Sequence, residues 1–253
     1  MRARTIVLLA VAAYLAFLAA TMPARWALAR FQPPPEVSLS DVQGTVWNGS
    51  AALALQAGTP IANVRWHFLA SRLASARIAY AIDAAGAALQ AHGEVARGIG
   101  AVEARGVTAR GDAAGVSALV PLAAAWRPQG EFLLDAPALA WDGRAVRGTA
   151  RAEWREASLA ISDVRPLGSY RVEVRADGGP ARIEVSTLEG PLRIAGHGTF
   201  APPGALAFSG EARAQGNAAA ALEPLLDLLG PRRADGARAL DWRTVPANLP
   251  PRS

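Results

Sequence analysis

From Val37 onward the sequence alternates apolar and polar residues with period two, and this restricts the fold more than any other feature. Val64, Trp66 and Phe68 alternate with Asn63, Arg65 and His67. Ile78, Tyr80 and Ile82 make the next apolar set. Phe132 and Leu134 alternate with Glu131, Leu133 and Asp135, and Ala150, Ala152 and Trp154 oppose Thr149, Arg151, Glu153 and Arg155. Val172 and Val174 sit among Arg171, Glu173 and Arg175, and Ile183 and Val185 beside Arg182 and Glu184. Leu192 with Ile194, then Leu206 with Phe208, continue the series. Successive side chains of a strand point to opposite faces, so this pattern builds strands with one apolar and one charged face. Such strands belong to antiparallel sheets that are wet on one side. Asp142-Gly143, Asp177-Gly178-Gly179 and Asp235-Gly236 mark turns between them, which predicts many short hairpin-linked strands.

The clearest hairpin signal lies in Leu39 to Leu55, around Gly44-Thr45-Val46-Trp47-Asn48-Gly49. Asn-Gly suits a two-residue turn with positive φ at both positions. That turn pairs Trp47 with Ser50, Thr45 with Ala52 and Gln43 with Ala54, with Trp47 as a core anchor. Similar words return at Gly148-Thr149, Trp154 and Leu159-Ala160-Ile161, so an internal duplication near 39–55 and 139–161 is one reading of the chain.

Two stretches break the alternation. Val116 to Trp126 reads as a short helical crossing. Asn217 to Leu229 reads as a helix with Leu222, Leu225, Leu226 and Leu229 on one face, capped by Asn217 or starting at Leu222 because of Pro224, and ended by Gly230-Pro231.

The N-terminus has its own character. Met1 to Arg4 is a basic start, and residues 5–22 carry no charge, just long enough to cross a bilayer as a helix. Arg2 and Arg4 favour leaving residues 1–4 in the cytoplasm, and Trp26 suits a membrane–water interface. Ala27-Leu28-Ala29 has the small-x-small form of a signal-peptide cleavage site, but Arg25, Trp26 and the length of the apolar run favour an uncleaved anchor. The stretch 23–36, with Pro33, Pro34 and Pro35, reads as a stiff Pro-rich spacer. This puts a β-rich domain at 37–243 outside the cytoplasm, followed by a disordered tail at 244–253.

The remaining features exclude function classes. All 26 basic residues are Arg and the formal net charge is +5, but the Arg residues interleave with Glu along strands. No clustered basic face of the kind nucleic acid requires is visible. Cysteine is absent, which removes disulfides, thiol chemistry and Cys-based zinc sites. His67, His92 and His197 lie far apart, so none forms a metal-ligand pair. No Lys is present for a phosphate-binding P-loop, Gly196-His197-Gly198 lacks the rest of a dinucleotide fingerprint, and no nucleophile-elbow Gly-x-Ser-x-Gly occurs. We assign no catalytic, cofactor-binding or metal site, and read the chain as not an enzyme.

The apolar anchor, Gly44-Thr45-Val46-Trp47-Asn48-Gly49-Ser50-Ala51, the following Val64-x-Trp66 and the Leu-rich helix ending at Gly230 together resemble the protein N family of the type II, or general, secretion pathway. The resemblance runs from the anchor to about Asp235-Gly236. The Lys-free composition and a loose middle between Gly86 and Gly115 depart from it. It implies a single inner-membrane helix, an antiparallel multi-stranded periplasmic β domain, as a curved sheet or an open groove or sandwich, and one short C-terminal helix. It also implies a non-catalytic accessory role in export of folded periplasmic proteins, through contacts with other secretion components. The alternative is a tethered β-groove module that handles lipid or lipopolysaccharide. A packed interior separates the first reading from the second, which needs a continuous open apolar surface.

Overall fold

The structure is a computed structural model that describes residues 14, 17–18, 20–28, 37–55, 60–117, 125–201 and 204–244. The expected anchor at 5–22, the proline run of the spacer and the tail beyond Thr244 lie largely or wholly outside these residues. No described helix is long and apolar enough to cross a membrane.

A short helix, α1 (Ala24–Leu28), precedes the strands β1 (Val37–Gly44), β2 (Asn48–Leu55), β3 (Pro60–Phe68), β4 (Ile78–Ala85), β5 (Leu89–Arg97) and β6 (Val102–Asp112). After α2 (Ala113–Ser117) come β7 (Pro128–Trp141), β8 (Val146–Leu159), β9 (Gly168–Asp177), β10 (Ala181–Glu189), β11 (Leu192–Ala201) and β12 (Ala205–Ala214). The helix α3 (Ala219–Leu229) and the strand β13 (Arg238–Thr244) close the chain. All thirteen strands join one antiparallel sheet in sequence order, and β1 and β13 do not pair, so the sheet is open. The alternation in the sequence thus becomes a simple meander of hairpins.

The register turns that alternation into two faces. Directly opposed residues form one row across twelve strands: Ala51, Val64, Ala84, Ala91, Ala109, Leu134, Ala152, Val172, Val185, Gly196, Gly210 and Leu240. None is polar. The adjacent row on the other face crosses all thirteen: Gln43, Ser50, Arg65, Asp83, His92, Thr108, Asp135, Arg151, Glu173, Glu184, His197, Ser209 and Asp241. A slip of one residue anywhere would exchange the faces, so the apolar row fixes the register.

The first hairpin forms, but not with the Asn-Gly turn. Gly44 opposes Gly49 and Gln43 opposes Ser50, so residues 45–48 make the loop, and a bulge between Ser40 and Gln43 shifts the rest. Gly44 takes the positive φ, +85°. Gly49 is instead needed under the Trp66 ring, where a Cβ would lie 2.4 Å from Cζ2. The indole Nε1 donates to the Thr45 carbonyl at 3.1 Å, and the Thr45 N–H donates to the Asn48 carbonyl at 2.8 Å. A contact across strands has overridden the local turn preference. Trp47 is half-buried, edge-on to Phe68 at 4.8 Å, and is not a core residue.

The closely packed core sits at the C-terminal end. Leu222, Leu225 and Leu226 of α3 pack on Leu192, Phe208, Ala212 and Leu240, joined by Leu167. Asn217 does not cap α3; it lies in a 3-10 turn, Gly216–Ala218, which leads into Ala219, and Pro224 is accommodated inside the helix on its exposed side. Gly230 ends the helix as expected. Eleven residues give a helix ~16 Å long, enough to cover about three strands at ~4.8 Å spacing.

Tyr170 closes this core from β9. It is 7 % exposed, and its hydroxyl donates to the Leu192 carbonyl at 3.0 Å. Burial pushes its pKa well above the ordinary tyrosine value. The folded state therefore disfavours the phenolate, and this contribution is whole below the unfolded pKa of about 10 and lost as pH rises above it. Tyr170→Phe is expected to cost about 1 kcal/mol at neutral pH and to flatten the alkaline fall in unfolding free energy, as read by urea titrations from pH 7 to 11.

Candidate interaction surfaces

The apolar face has two parts. Over β11 to β13, α3 covers it. From β3 to β10 the row from Val64 to Val185 is half-buried, lined by its own neighbours. Among the described residues α2 adds a helical cover there, resting on β6 and β7 with Ala113 and Ser117 buried. Residues 118–124, which hold most of the expected helical crossing, lie outside the described residues. Half-exposed Trp66, Phe132, Leu134 and Trp154 border a surface of the kind that marks contact with another molecule.

The polar face is laced with cross-strand ion pairs. Arg171 reaches Glu153 at 2.9 Å, Arg151 reaches Glu173 at 3.1 Å and Arg110 pairs with Glu131, while Arg77, just before β4, reaches Glu103 of β6 at 3.0 Å. Opposite charges placed across a strand pair favour this register over its slips. Hydrogen bonds from Arg155 and then Arg171 hold the Glu153 carboxyl below the usual range. Its contribution is whole above the unfolded pKa and lost as pH falls through the lower folded one. Thermal scans at pH 7 and pH 3 are expected to show Glu153→Gln less stable than the parent at neutral pH and level with it in acid.

A shallow open groove of about 760 Å³ lies on the polar face of β9 to β12, bordered by Arg175, Arg182, Glu184, His197, Glu211 and Arg233. Its charges are mixed; Ser209 stands opposite His197 in the register, and the serine hydroxyl donates to Asp241 at 2.7 Å. His67, His92 and His197 sit on this face on three different strands; His92 Nδ1 lies 2.6 Å from Asp83 Oδ1. Among the described residues no three His, Cys, Asp or Glu side chains converge as a metal site.

One buried charge escaped the sequence reading. Arg238, 6 % exposed at the start of β13, stands on the apolar face beneath α3. Its guanidinium reaches Glu223 at 2.7 Å and Asp227 at 2.6 Å, while its Nε has no partner. The two carboxylates are four residues apart on α3, so they share one side of the helix. The arrangement clamps α3 to the last strand. An acidic i, i+4 pair beside the Leu222–Leu226 stripe was the available signal.

Two open edges complete the surfaces. On β1, Val46 N–H donates to the Met22 carbonyl and Pro23 bridges Thr45, so the segment before the sheet closes part of that edge. On β13, residues 231–233 pair with the start of the strand, and among the described residues nothing pairs with the outer side of 240–244.

Neither the curated proteins nor the solved structures include a match to the chain. The family model for the type II secretion system (T2SS), protein N, matches residues 35–241, from just before β1 into β13. The match takes in the entire sheet up to its final strand together with α3, and on it the chain belongs to the type II secretion system protein N family.

Proposed function

We propose that this chain is a membrane-tethered scaffold, presenting its two-faced sheet in the periplasm for contact with other proteins of the secretion machine. The coarser statement follows from family membership: it is a non-catalytic accessory component of the type II secretion system, associated with the inner membrane and with other components of that system. In the finer reading residues 1–4 stay in the cytoplasm, 5–22 cross the inner membrane once, 23–36 act as spacer, and 37–243 lie in the periplasm.

The observation that carries the scaffold reading is the open apolar row. Among the described residues, α3 covers about three of the twelve strands this face crosses and the five-residue α2 rests on two more, which leaves a broad surface that water does not favour. A partner protein that packs on it removes that cost. The second reading, a groove for acyl chains, draws on the same face.

A deletion strain, followed for one folded secreted enzyme and for outer-membrane permeability together, separates them. Enzyme retained in the periplasm behind an intact outer membrane supports the scaffold. Normal secretion with a detergent-sensitive outer membrane supports lipid handling. No change in either would overturn both.

A further inference from the structure

We propose that two copies of this chain pair edge to edge through β13, antiparallel and centred on Trp242, to make one continuous sheet. The inference does not depend on the secretion role.

The free stretch of the edge is five residues long, 240–244. Before it, the Ala239 N–H donates to the Pro231 carbonyl, and the Arg233 N–H donates to the Ala237 carbonyl. These bonds show that the odd residues of β13 turn their backbone groups outward. By alternation the N–H and C=O of Asp241 and Arg243 also face outward. The stretch itself holds no proline or bulge, and no segment among the described residues covers it.

The stretch is complementary to itself. A two-fold axis at Trp242 sets Asp241 opposite Arg243 of the second copy, and Arg243 opposite its Asp241. Outward groups then meet outward groups, which gives four main-chain hydrogen bonds and two opposite-charge pairs on the polar face. The two Trp242 side chains meet on the apolar face. Slipping the register by two residues puts Asp241 opposite Asp241 or Arg243 opposite Arg243. Slipping it by one exchanges the faces. Among the described residues Arg243 has no ion pair, and Asp241 bonds only the Ser209 hydroxyl, at 2.7 Å. Trp242 is 52 % exposed and stacks on Phe208 at 5.5 Å. Pairing β13 with β1 of another copy would give an open-ended chain of molecules. Against that, β1 carries a bulge between Ser40 and Gln43, with Asp41 at φ +51°, and its far end is closed by Met22 and Pro23.

The test uses the full-length chain in detergent micelles, with the protein mass measured by light scattering across a concentration series. The parent is expected to be dimeric, and Asp241→Arg and Arg243→Asp are each expected to weaken association at least tenfold. The double variant D241R/R243D restores the opposed charges and should return the dimer. Because the chain has no cysteine, Trp242→Cys offers a second readout. Directly opposed residues in a non-hydrogen-bonded pair lie within disulfide reach, so mild oxidation should link the two copies. A parent that stays monomeric throughout, or single reversals that leave association unchanged, would overturn the proposal. So would a double reversal that fails to restore the dimer, or a Trp242→Cys chain that does not cross-link.

Discussion

Removing both carboxylates that face Arg238, as Glu223→Ala with Asp227→Ala, is expected to destabilise the fold by about 3 kcal/mol, the low end for a buried charge stripped of its partners. The guanidinium side chain is 8 % exposed and keeps one nitrogen unpaired even in the intact clamp. Without Glu223 and Asp227 it has no compensating charge within reach among the described residues. The reverse experiment is asymmetric. Arg238→Met removes the charge but keeps most of the stem volume, and the released carboxylates, 42 % and 64 % exposed, return to water. That variant is expected to cost under ~1.5 kcal/mol. Urea midpoints for the three proteins check the order. Equal losses would mean that packing, not charge, holds α3 on β13.

The second large effect is expected at Phe208. Its ring lies on the apolar face of β12 against Trp242, and across the floor formed by Gly196 and Gly210. A Cβ on Gly196 would meet Phe208 Cζ at 2.5 Å, so those glycines are there to let the ring lie down. Phe208 is 9 % exposed and belongs to the cluster under α3. Phe208→Ala is expected to cost about 3–5 kcal/mol. Leu134→Ala, on the same face of β7, is expected to cost less than ~1.5 kcal/mol, because the side chain is only half-buried. Comparable losses at both positions would contradict a core concentrated at the C-terminal end.

Much of this architecture was legible as period two. The strands around Trp66, Trp154, Val172 and Ile183 all form where the charged and apolar residues alternate. The Gly86–Gly115 stretch hid β5 and β6 because its apolar positions are small: Ala91, Gly93, Ala104 and Ala109 carry little hydrophobic contrast. β13 was missed for a different reason. Leu240 and Trp242 alternate with Asp241 and Arg243, but the strand is short and opens with an arginine on its apolar side. Only the helix packed over Arg238 explains that residue. The Asn48-Gly49 turn failed since Gly49 answers to Trp66, a partner that local sequence does not show. The echo of Gly44-Thr45 at Gly148-Thr149 falls in another setting, inside β8 instead of at a turn.

The central claim is that the apolar row between β2 and β10 is a contact surface of the secretion machine. Single cysteines at Val64, Ala109, Leu134 and Val172, with one at Leu240 under α3 as control, can each be probed with a soluble maleimide. The cysteine-free chain makes every signal specific. The measurement compares cells that hold the complete secretion system with cells that lack its other components. We predict that the four positions label readily without those components and are protected when they are present, with Leu240 protected in both. Equal labelling of the four positions in the two strains, whether high or low, would contradict the account.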